Sequence, residues 1–355
     1  MAGGQRCRDG FRGRMLALDL SACSSARAAQ VGGRRMIDRV LVTGGAGFIG
    51  SHVCEALHAS GMRVRVLDDL STGSRENLAA SVESFESFEV FEGSVCVEDD
   101  VARAVEGCDA VVHLAALTSV AGSFLDRARY FSVNVEGTQR VADAARRLGV
   151  RRMLLASSAA VYGERPGPHS EPTSPAPTSP YAETKAEGER IMRALSASST
   201  CDALSFRFFN VYGPRQSEHG SYAAAIPGFV ARLRNKNSVQ IYGDGTQTRD
   251  FVHVTDVARA VVTALQSPTQ FAGGSINIGT GVSMSIATLA RTAARLANCT
   301  TCVEFGAARL GDVHESVAVI AKARDLLNFA PRVSLEAGLR ELFQLQPSSR
   351  KSLAS

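Results

Sequence analysis

The sequence predicts an α/β fold in which a doubly wound parallel sheet, covered by helices on both faces, is followed by a smaller α/β domain. Short apolar runs alternate with amphipathic stretches of helical length from residue 39 to about residue 211, as expected for parallel strands joined by helices. A glycine-rich turn separates the first apolar run from the first amphipathic stretch. The length of 355 residues fits about two domains at roughly 150 residues each.

The predicted elements follow one another in the order strand, helix, strand. The pattern opens with two strands and the helix between them, at Arg39–Thr43, Arg63–Leu67 and Phe48–Ser60. Four later apolar runs predict further strands, at Phe88–Phe91, Ala110–Ala116, Arg152–Ser157 and Leu204–Val211. The clearest later helical patterns are Asn134–Leu148, Tyr181–Ser196 and Ala224–Arg234.

Proline content and loss of alternation indicate the domain organisation. Six of the eleven prolines lie between Pro166 and Pro180, which excludes helix and central strand there and predicts an ordered surface loop or lid. After Gly213 the alternation becomes irregular. The predicted parts are a disordered leader at 1–35, a first domain at 36–212 with a return near 250–282, a second domain at 213–345 and a polar tail at 346–355.

The charge is unevenly distributed along the chain. The net charge is +4, but residues 1–35 hold seven Arg and two Asp, so the other 320 residues carry a net charge of −1. Because residues 36–355 carry no surplus of basic groups, nucleic-acid binding is disfavoured. The leader is rich in Arg, Ser and Ala, as targeting peptides are. It lacks an apolar segment followed by a cleavage site, which disfavours secretion. It also shows neither the strand nor the helix period, so a disordered segment or an upstream extension without targeting function is favoured.

Cysteine spacing and hydropathy exclude several other classes. The eight cysteines are scattered except for Cys299 and Cys302, and a lone CxxC is half a zinc site. We therefore expect no metal, and a reduced, cytoplasmic chain. No apolar stretch approaches the roughly 18 residues of a membrane span, so no membrane partner is expected.

The first motif that carries chemistry is TGGAGFIG at residues 43–50, between a predicted strand and a predicted helix. Gly44 permits a tight turn, Gly47 lets the backbone approach a pyrophosphate, and Gly50 allows close packing of helix on strand. Asp68 ends the second strand 18 residues after Gly50, where a carboxylate accepts hydrogen bonds from a ribose. Together they predict a Rossmann-type domain that binds NAD, because an acid there repels the 2′-phosphate of NADP.

The second motif is YAETK at residues 181–185. A spacing of four places the phenol of Tyr181 and the ammonium of Lys185 on one helix face. A nearby Lys⁺ and the positive nicotinamide ring of the cofactor favour tyrosinate, so we expect them to lower the Tyr181 pKa. Ser158 stands 23 residues earlier, at the end of a predicted strand, where a hydroxyl can relay a proton.

These residues, in this order, resemble the extended short-chain dehydrogenase/reductases, and within them the nucleotide-sugar 4-epimerases. The resemblance runs from about Met36 to Pro331 and rests on nine ordered motifs: TGGAGFIGSHV, DDLSTG, VVHLAA, NVEGT, SSAAVYGE, YAETK, FRFFNVYGPRQ, GDGTQTRDFVHVTDVA and NIGTG.

The resemblance implies a role for each matching residue. It makes Tyr181 the catalytic base, Lys185 its electrostatic and ribose partner, and Ser158 the proton-relay hydroxyl that also meets substrate. It adds further NAD-site residues, namely Phe48, Ile49, Ser94, Leu114, Ala115, Ala116 and Asn134. It also implies a UDP-sugar site, with Asn210, Arg249 and Arg309 on the diphosphate, Gln240 and Tyr242 on the uracil, and Ser316 beside the sugar.

Three departures from the family pattern carry information. Ser94 stands where an Asp usually meets the adenine, and Val319 stands where an Asp is usual. Ala159 and Ala160 follow Ser158, where related dehydratases and decarboxylases carry an acid. The small Ser316 leaves room for a 2-acetamido group, which a bulky residue would exclude.

The resemblance therefore implies an isomerase, an NAD-dependent UDP-sugar 4-epimerase that works through a transient 4-keto sugar. We expect it to accept UDP-GlcNAc and UDP-GalNAc, alongside UDP-glucose and UDP-galactose, and to be a homodimer. Two alternatives stay open: a dehydratase, decarboxylase or reductase of the same fold, and a non-catalytic dinucleotide-sensing regulator. Such regulators generally lose the Tyr or Lys that this chain keeps.

Overall fold

The structure is a computed structural model, and it describes residues 30–31, 34–35, 37–79, 88–217, 224–299, 303–307 and 313–345. The chain divides into two units, residues 1–36 and residues 37–355. In the first unit, Gln30–Val31 (β1) pairs antiparallel with Arg34–Arg35 (β2). The rest of the predicted leader and the predicted tail lie outside the described residues.

A seven-stranded parallel sheet organises the second unit. Its strands lie in the order β13-β8-β7-β6-β3-β4-β5, with the bounds β3 Arg39–Thr43, β4 Arg63–Asp68, β5 Phe88–Glu92, β6 Ala110–His113, β7 Arg152–Ser158, β8 Asp202–Phe208 and β13 Gly274–Ile278. In this order β4 and β5 lie on one side of β3 and the later strands lie on the other, and the glycine turn follows β3. The predicted doubly wound α/β fold is therefore confirmed.

Twelve α-helices connect and cover the strands of the described part of the chain. They are α1 Phe48–Ala59, α2 Arg75–Ala79, α3 Glu98–Val105, α4 Val120–Leu125, α5 Arg127–Phe131, α6 Gly137–Arg147, α7 Pro180–Ser198, α8 Ala225–Arg234, α9 Val254–Gln266, α10 Ile286–Leu296, α11 Ala321–Leu327 and α12 Leu335–Gln344. A π-helix at Ser132–Glu136 precedes α6, and a 3-10 helix at Ala159–Tyr162 follows β7.

Two hydrophobic cores bury the two faces of the sheet. One face packs against α1, α9 and α11, through side chains such as Leu57 and Val261. The other packs against α3, α6 and α7, through side chains such as Val105, Val141 and Met192. Every residue of β6 and β8 is buried, because helices cover both faces of a parallel sheet.

A third core lies beside short strands outside the main sheet. Tyr212, Phe229, Ile241, Leu289 and Leu339 belong to it. The short strands are β9 Asn210–Tyr212, β10 Val239–Tyr242, β11 Thr248–Arg249, β12 Phe251–His253, β14 Met284–Ser285, β15 Val303–Gly306 and β16 Glu315–Ser316. The division into an NAD-binding and a substrate-binding domain stays a prediction.

Two predicted strand bounds were wrong, and a hydrogen bond explains each difference. The predicted strand 204–211 is two strands, because Phe209 N donates to Ile278 O while Asn210 N donates to Asp250 O, so the chain changes partner between them. The predicted strand 110–116 ends at His113, after which Ala115 N donates to the Thr43 hydroxyl at 3.3 Å.

The proline-rich segment is ordered and mostly outside helices and strands, as predicted. Its last residue, Pro180, is the first residue of α7, where a missing N–H costs no hydrogen bond. His169 bridges to Ala318, and its ring stacks on Tyr162 with 4.6 Å between centroids. Among the described helices, none combines the length and apolar character needed to cross a membrane.

Candidate active site

The glycine turn that follows β3 brings backbone against backbone. Gly44 has a φ of +70°, and a Cβ on it would lie 2.7 Å from Ala115 N. A Cβ on Gly50 would lie 2.0 Å from Gly44 O, and one on Gly47 would lie 3.2 Å from the same oxygen. Glycine at 44 and 50 is therefore required for helix α1 to start directly above the strand end.

The start of α1 fits a dinucleotide pyrophosphate. Gly47 is the N-cap, and no side chain caps the helix. The first-turn amides, including those of Phe48 and Ile49, and the positive end of the helix dipole favour an anion at this position. The first turn of α1, which no side chain caps and which the glycine turn holds against the strand end, is the observation on which the fit of NAD rests.

Asp68, at the end of β4, is buried and holds the glycine turn. One carboxylate oxygen accepts Ala46 N and the other accepts Leu70 N, both at 2.9 Å. Burial raises the pKa of Asp68, and the two backbone hydrogen bonds oppose that rise. A carboxylate offers about four acceptor positions, and these two backbone donors use two of them; the contact of Asp68 with ribose hydroxyls stays a prediction.

Ser94, the predicted adenine contact, follows β5 and is tied to its own loop. Its hydroxyl accepts Cys96 N at 3.2 Å, and its amide donates to Asp100 Oδ2 at 3.0 Å. That amide hydrogen bond holds the pKa of Asp100 below its ordinary value. Asp100 therefore places a carboxylate next to Ser94, which the sequence analysis missed because the acid lies on α3 and not on the strand.

The segment after β6 lies beside the glycine turn and forms one wall of the crevice predicted to hold NAD. Leu114 N donates to Thr43 O at 3.0 Å, which sets Leu114, Ala115 and Ala116 beside the glycine turn. Asn134, on the π-helix, closes the segment from the other side, since it accepts Leu117 N at 2.8 Å and donates to Leu117 O at 3.0 Å.

A buried histidine beneath this crevice was not predicted. The Thr43 hydroxyl lies 2.6 Å from His113 Nδ1, and the Thr138 hydroxyl lies 2.9 Å from Nε2. Thr138 also donates to Asn134 O at 2.6 Å. Burial first, and then the nearby Lys185 charge, lower the pKa of His113 to about 3. His113 is thus a neutral hydrogen-bonding link between β3, β6 and α6.

Tyr181, Lys185 and Ser158 come together where β7 meets α7. Lys185 Nζ donates to Ala156 O at 2.8 Å and lies 5.7 Å from the centre of the Tyr181 ring. Tyr181 and Ser158 share a side-chain hydrogen bond. Thr184 donates to Tyr181 O at 2.7 Å and accepts from Asn134 at 3.0 Å, so the helix start is fixed to the crevice wall.

The expected lowering of the Tyr181 pKa was wrong for the protein alone. Burial raises the Tyr181 pKa, and the hydrogen bond with Ser158 opposes that rise without reversing it. Burial also lowers the pKa of Lys185 to about 8, so the ammonium is itself costly to charge. The helix spacing of Tyr181 and Lys185 does not reveal that both groups lose their contact with water, and this loss decides the direction of both pKa shifts.

A buried ion pair supports the strand end from behind. Glu189 accepts from the Ser157 hydroxyl at 2.7 Å and from Arg207 Nε and Nη2 at 2.8 Å each. The Arg207 guanidinium lies 4.8 Å from the centre of the Tyr162 ring. Neither Glu189 nor Arg207 was predicted, because their pairing joins α7 to β8 across 18 positions of the chain.

The predicted diphosphate and sugar residues lie on neighbouring short strands. In the parallel pair β11–β16, Arg249 is opposite Ser316. Asn210 begins β9, and its side-chain amide donates to Asp250 O at 3.3 Å. The structure therefore brings Asn210, Arg249 and Ser316 together. Arg309 lies outside the described residues.

The predicted uracil residues share one face of β10. Gln240 and Tyr242 are two positions apart on this strand, opposite Glu304 and Gly306 of β15. Alternate residues of a strand point to the same side, so the amide and the phenol lie on one side of β10, and Tyr242 is exposed. A Cβ on Gly306 would come within 3.0 Å of Gln240 Nε2.

Comparison with known proteins places this arrangement among nucleotide-sugar enzymes. The model of the NAD dependent epimerase/dehydratase family matches residues 40–279. A UDP-glucose 4-epimerase of Mycolicibacterium smegmatis is 40% identical over 306 residues, which are 85% of this chain and 96% of that protein.

Two solved structures are similar over nearly their whole length. A UDP-N-acetylglucosamine 4-epimerase from Methanobrevibacter ruminantium M1, in complex with UDP-N-acetylmuramic acid, gives a TM-score of 0.82 at 35% identity, over 87% of this chain and 98% of that one. A UDP-glucose 4-epimerase of Thermus thermophilus in complex with NAD gives 0.78 at 35% identity, over 86% and 98%. The similar proteins therefore include an enzyme named for UDP-N-acetylglucosamine and enzymes named for UDP-glucose.

Proposed function

Since the chain belongs to the NAD dependent epimerase/dehydratase family and is a nucleotide-sugar epimerase whose cofactor is NAD, we propose that it inverts C4 of UDP-GlcNAc and UDP-GalNAc. We propose UDP-glucose and UDP-galactose as further substrates. The observation that carries the proposal is the meeting of Tyr181, Ser158 and Lys185 at the end of β7, beside the glycine turn.

Each of the three side chains has a distinct task in the proposed mechanism. Tyr181, as phenolate, takes the proton of the sugar 4-hydroxyl and later returns it to the opposite epimer. Ser158 holds the reacting oxygen through its hydroxyl and relays that proton. The charged Lys185 stabilises the phenolate, and its hydrogen bond to Ala156 O fixes the ammonium in place.

NAD supplies the reversible oxidation and reduction at C4 when it is bound. The glycine turn, Asp68 and the 114–116 segment would hold it, with Ser94 near its adenine. The protein must also let the 4-keto sugar present both faces in turn. A firmly held diphosphate beside a loosely held hexose meets this requirement, and Asn210, Arg249 and Arg309 are the proposed anchors.

The residues that follow β7 favour epimerisation over elimination. A dehydratase needs a further side chain that can deliver or accept a proton next to the ketone. The 3-10 helix after Ser158 begins with Ala159 and Ala160, and neither can do so. The oxidation is therefore proposed to be followed by reduction at the same carbon, with no other bond changed.

The small size of Ser316 supports the proposed choice of sugar. Its strand lies directly beside Arg249, so a side chain here borders whatever the arginine holds. The hydroxymethyl group of serine leaves space for an acetamido substituent. The predicted homodimer and cytoplasmic location stay predictions of the resemblance.

The deciding experiment is a product assay with four substrates. UDP-GlcNAc, UDP-GalNAc, UDP-glucose and UDP-galactose are each incubated with the purified protein without added NADH, and the products are separated by chromatography. We expect only the C4 epimer of each sugar, with the acetamido pair converted efficiently. A dehydrated or decarboxylated product, or conversion that requires added NADH, would contradict the proposal.

A further inference from the structure

The carboxylate of Asp250, which lies between β11 and β12, has no solvent exposure. Its Oδ1 accepts hydrogen bonds from Thr280 N at 2.7 Å and from the Thr280 hydroxyl at 2.6 Å. Its Oδ2 accepts from Gly281 N at 2.8 Å and from Ala318 N at 3.1 Å. One side chain thus joins the loop after β13 to the segment after β16.

The backbone of Asp250 joins two more segments. Its amide donates to Ser316 O at 2.8 Å, and its carbonyl accepts from Asn210 N at 2.9 Å and from the Asn210 side chain at 3.3 Å. Arg249 is the preceding residue. Asn210, Arg249 and Ser316 are therefore all attached to Asp250, either covalently or by a direct hydrogen bond.

The packing around the carboxylate leaves no room for rearrangement. A Cβ on Gly279 would lie 2.6 Å from Asp250 Oδ2 and 2.8 Å from the Ala318 Cβ. Four donors converge on one carboxylate, and an amide can accept on only one of its two ends. An asparagine at 250 would therefore direct its own N–H donors at buried N–H or O–H donors of the loop after β13 or of the segment after β16. Because donors cannot pair with donors, these segments would have to move.

We propose that Asp250 is a positioning residue that sets the relative places of Asn210, Arg249 and Ser316, and so governs how tightly and how selectively the UDP-sugar is held. The inference rests on the proposed function of this site. Asp250 is buried under the site and acts through its neighbours, without contacting the substrate.

This role predicts a separation of kinetic parameters. The catalytic side chains are on β7 and α7, and their hydrogen bonds do not include Asp250. Loss of the Asp250 acceptor should therefore raise KM for UDP-sugars and change the preference between UDP-GlcNAc and UDP-glucose, while kcat and NAD content change much less. A role in stability alone would leave KM and preference unaltered.

The test compares Asp250→Asn with Asp256→Asn in the full-length, NAD-loaded protein. Asp256, on α9, also has no exposed surface, and it accepts from Arg332 N and Val333 N at 3.0–3.1 Å. Its partners are not proposed to contact substrate. We expect Asp250→Asn to raise KM roughly tenfold or more, the effect of one buried donor left unpaired. Asp256→Asn should lower only the melting temperature.

A milder pair of variants keeps the test informative if Asp250→Asn does not fold. Thr280→Val removes only the hydroxyl bond to Asp250 Oδ1 and its bond with Val282 N, and Thr280→Ser restores both. We expect KM to rise in Thr280→Val and to return in Thr280→Ser. Unchanged KM and sugar preference in a folded Asp250→Asn or Thr280→Val variant would overturn the inference.

UDP titration by calorimetry separates this inference from the proposed function. Weaker UDP binding by Asp250→Asn than by Asp256→Asn supports the positioning role even if the wild-type protein epimerises none of the four sugars. Epimerisation by the wild type, together with equal UDP affinity and equal KM in both variants, leaves the function standing and removes the positioning role.

Discussion

Lys185 donates a hydrogen bond from Nζ to the carbonyl oxygen of Ala156 at 2.8 Å. This contact joins α7 to β7 two residues before Ser158. The Lys185 amine, the Tyr181 phenol and the Ser158 hydroxyl therefore keep fixed positions relative to one another. The amine is buried, and burial lowers its pKa to about 8 from an ordinary 10.5. Its protonation is therefore coupled to folding.

The first prediction follows from that coupling. Between about pH 8 and pH 10.5 the unfolded chain keeps the Lys185 proton and the folded protein does not. The contribution of this group to the free energy of unfolding should then increase as pH rises through that window. Denaturant unfolding of wild type and Lys185→Met at several pH values measures the difference. A stability difference that is flat with pH would contradict the shifted pKa.

The second prediction concerns Tyr181→Phe. The variant should fold, keep its NAD and lose epimerase activity by roughly two to four orders of magnitude, because the proton acceptor is removed. Activity is measured by product chromatography and NAD by absorbance after denaturation. Tyr212→Phe is the control, since Tyr212 is also buried but belongs to the third core. Near-normal turnover in Tyr181→Phe would exclude the proposed mechanism.

The third prediction concerns Gly50→Ala. A Cβ there would lie 2.0 Å from Gly44 O, so the turn must open, and we expect loss of bound NAD. Gly61→Ala is the matched control, because Gly61 has a φ of +84° but nothing within 4 Å of an added Cβ. It should cost about 1–2 kcal/mol of stability and keep its NAD. Full NAD retention by Gly50→Ala would contradict the close approach.

The fourth prediction concerns Ser316→Tyr. A large ring beside Arg249 should lower kcat/KM for UDP-GlcNAc by roughly tenfold or more, the usual scale of steric discrimination, and leave UDP-glucose largely unaffected. Ser316→Ala is the control that keeps the space open. The two substrates are assayed in parallel for each variant. An equal loss for both sugars would place Ser316 away from the acetamido group.

The fifth prediction concerns the ion pair behind the strand end. The Glu189 and Arg207 side chains are 0% and 4% exposed, so Glu189→Gln leaves a buried guanidinium unpaired, at a cost on the order of 3–5 kcal/mol. Glu187→Gln, on the same helix, breaks an exposed pair with Arg190 and should leave the free energy of unfolding almost unchanged. Chemical denaturation of both compares them. Equal costs would mean that the buried pair contributes no more than the surface pair.

The local features of this fold were predictable from sequence. The glycine turn, Asp68 and the Tyr181–Lys185 spacing each depend on neighbouring residues, and the structure places them as expected. The alternation of strands and helices also predicted the parallel sheet, because covered strands must be apolar on both faces.

Long-range pairings were not predictable in this way. Asp250, His113 and Glu189 acquire their partners from segments between 18 and 70 positions away, and no spacing rule connects such positions. The direction of the Tyr181 pKa shift failed for the same reason, because burial is set by the packing of the whole domain. Arg249 and Ser316 were identified by resemblance alone.

The partner change between Phe208 and Asn210 has a consequence for how this protein can diversify. The NAD-side residues stand on the ends of long strands in a seven-stranded sheet, where a substitution disturbs many neighbours. Arg249 and Ser316 stand on strands of two residues each, outside that sheet. Substitutions on these short strands can therefore change the sugar preference with little effect on NAD binding. This separation allows one fold to serve many substrates.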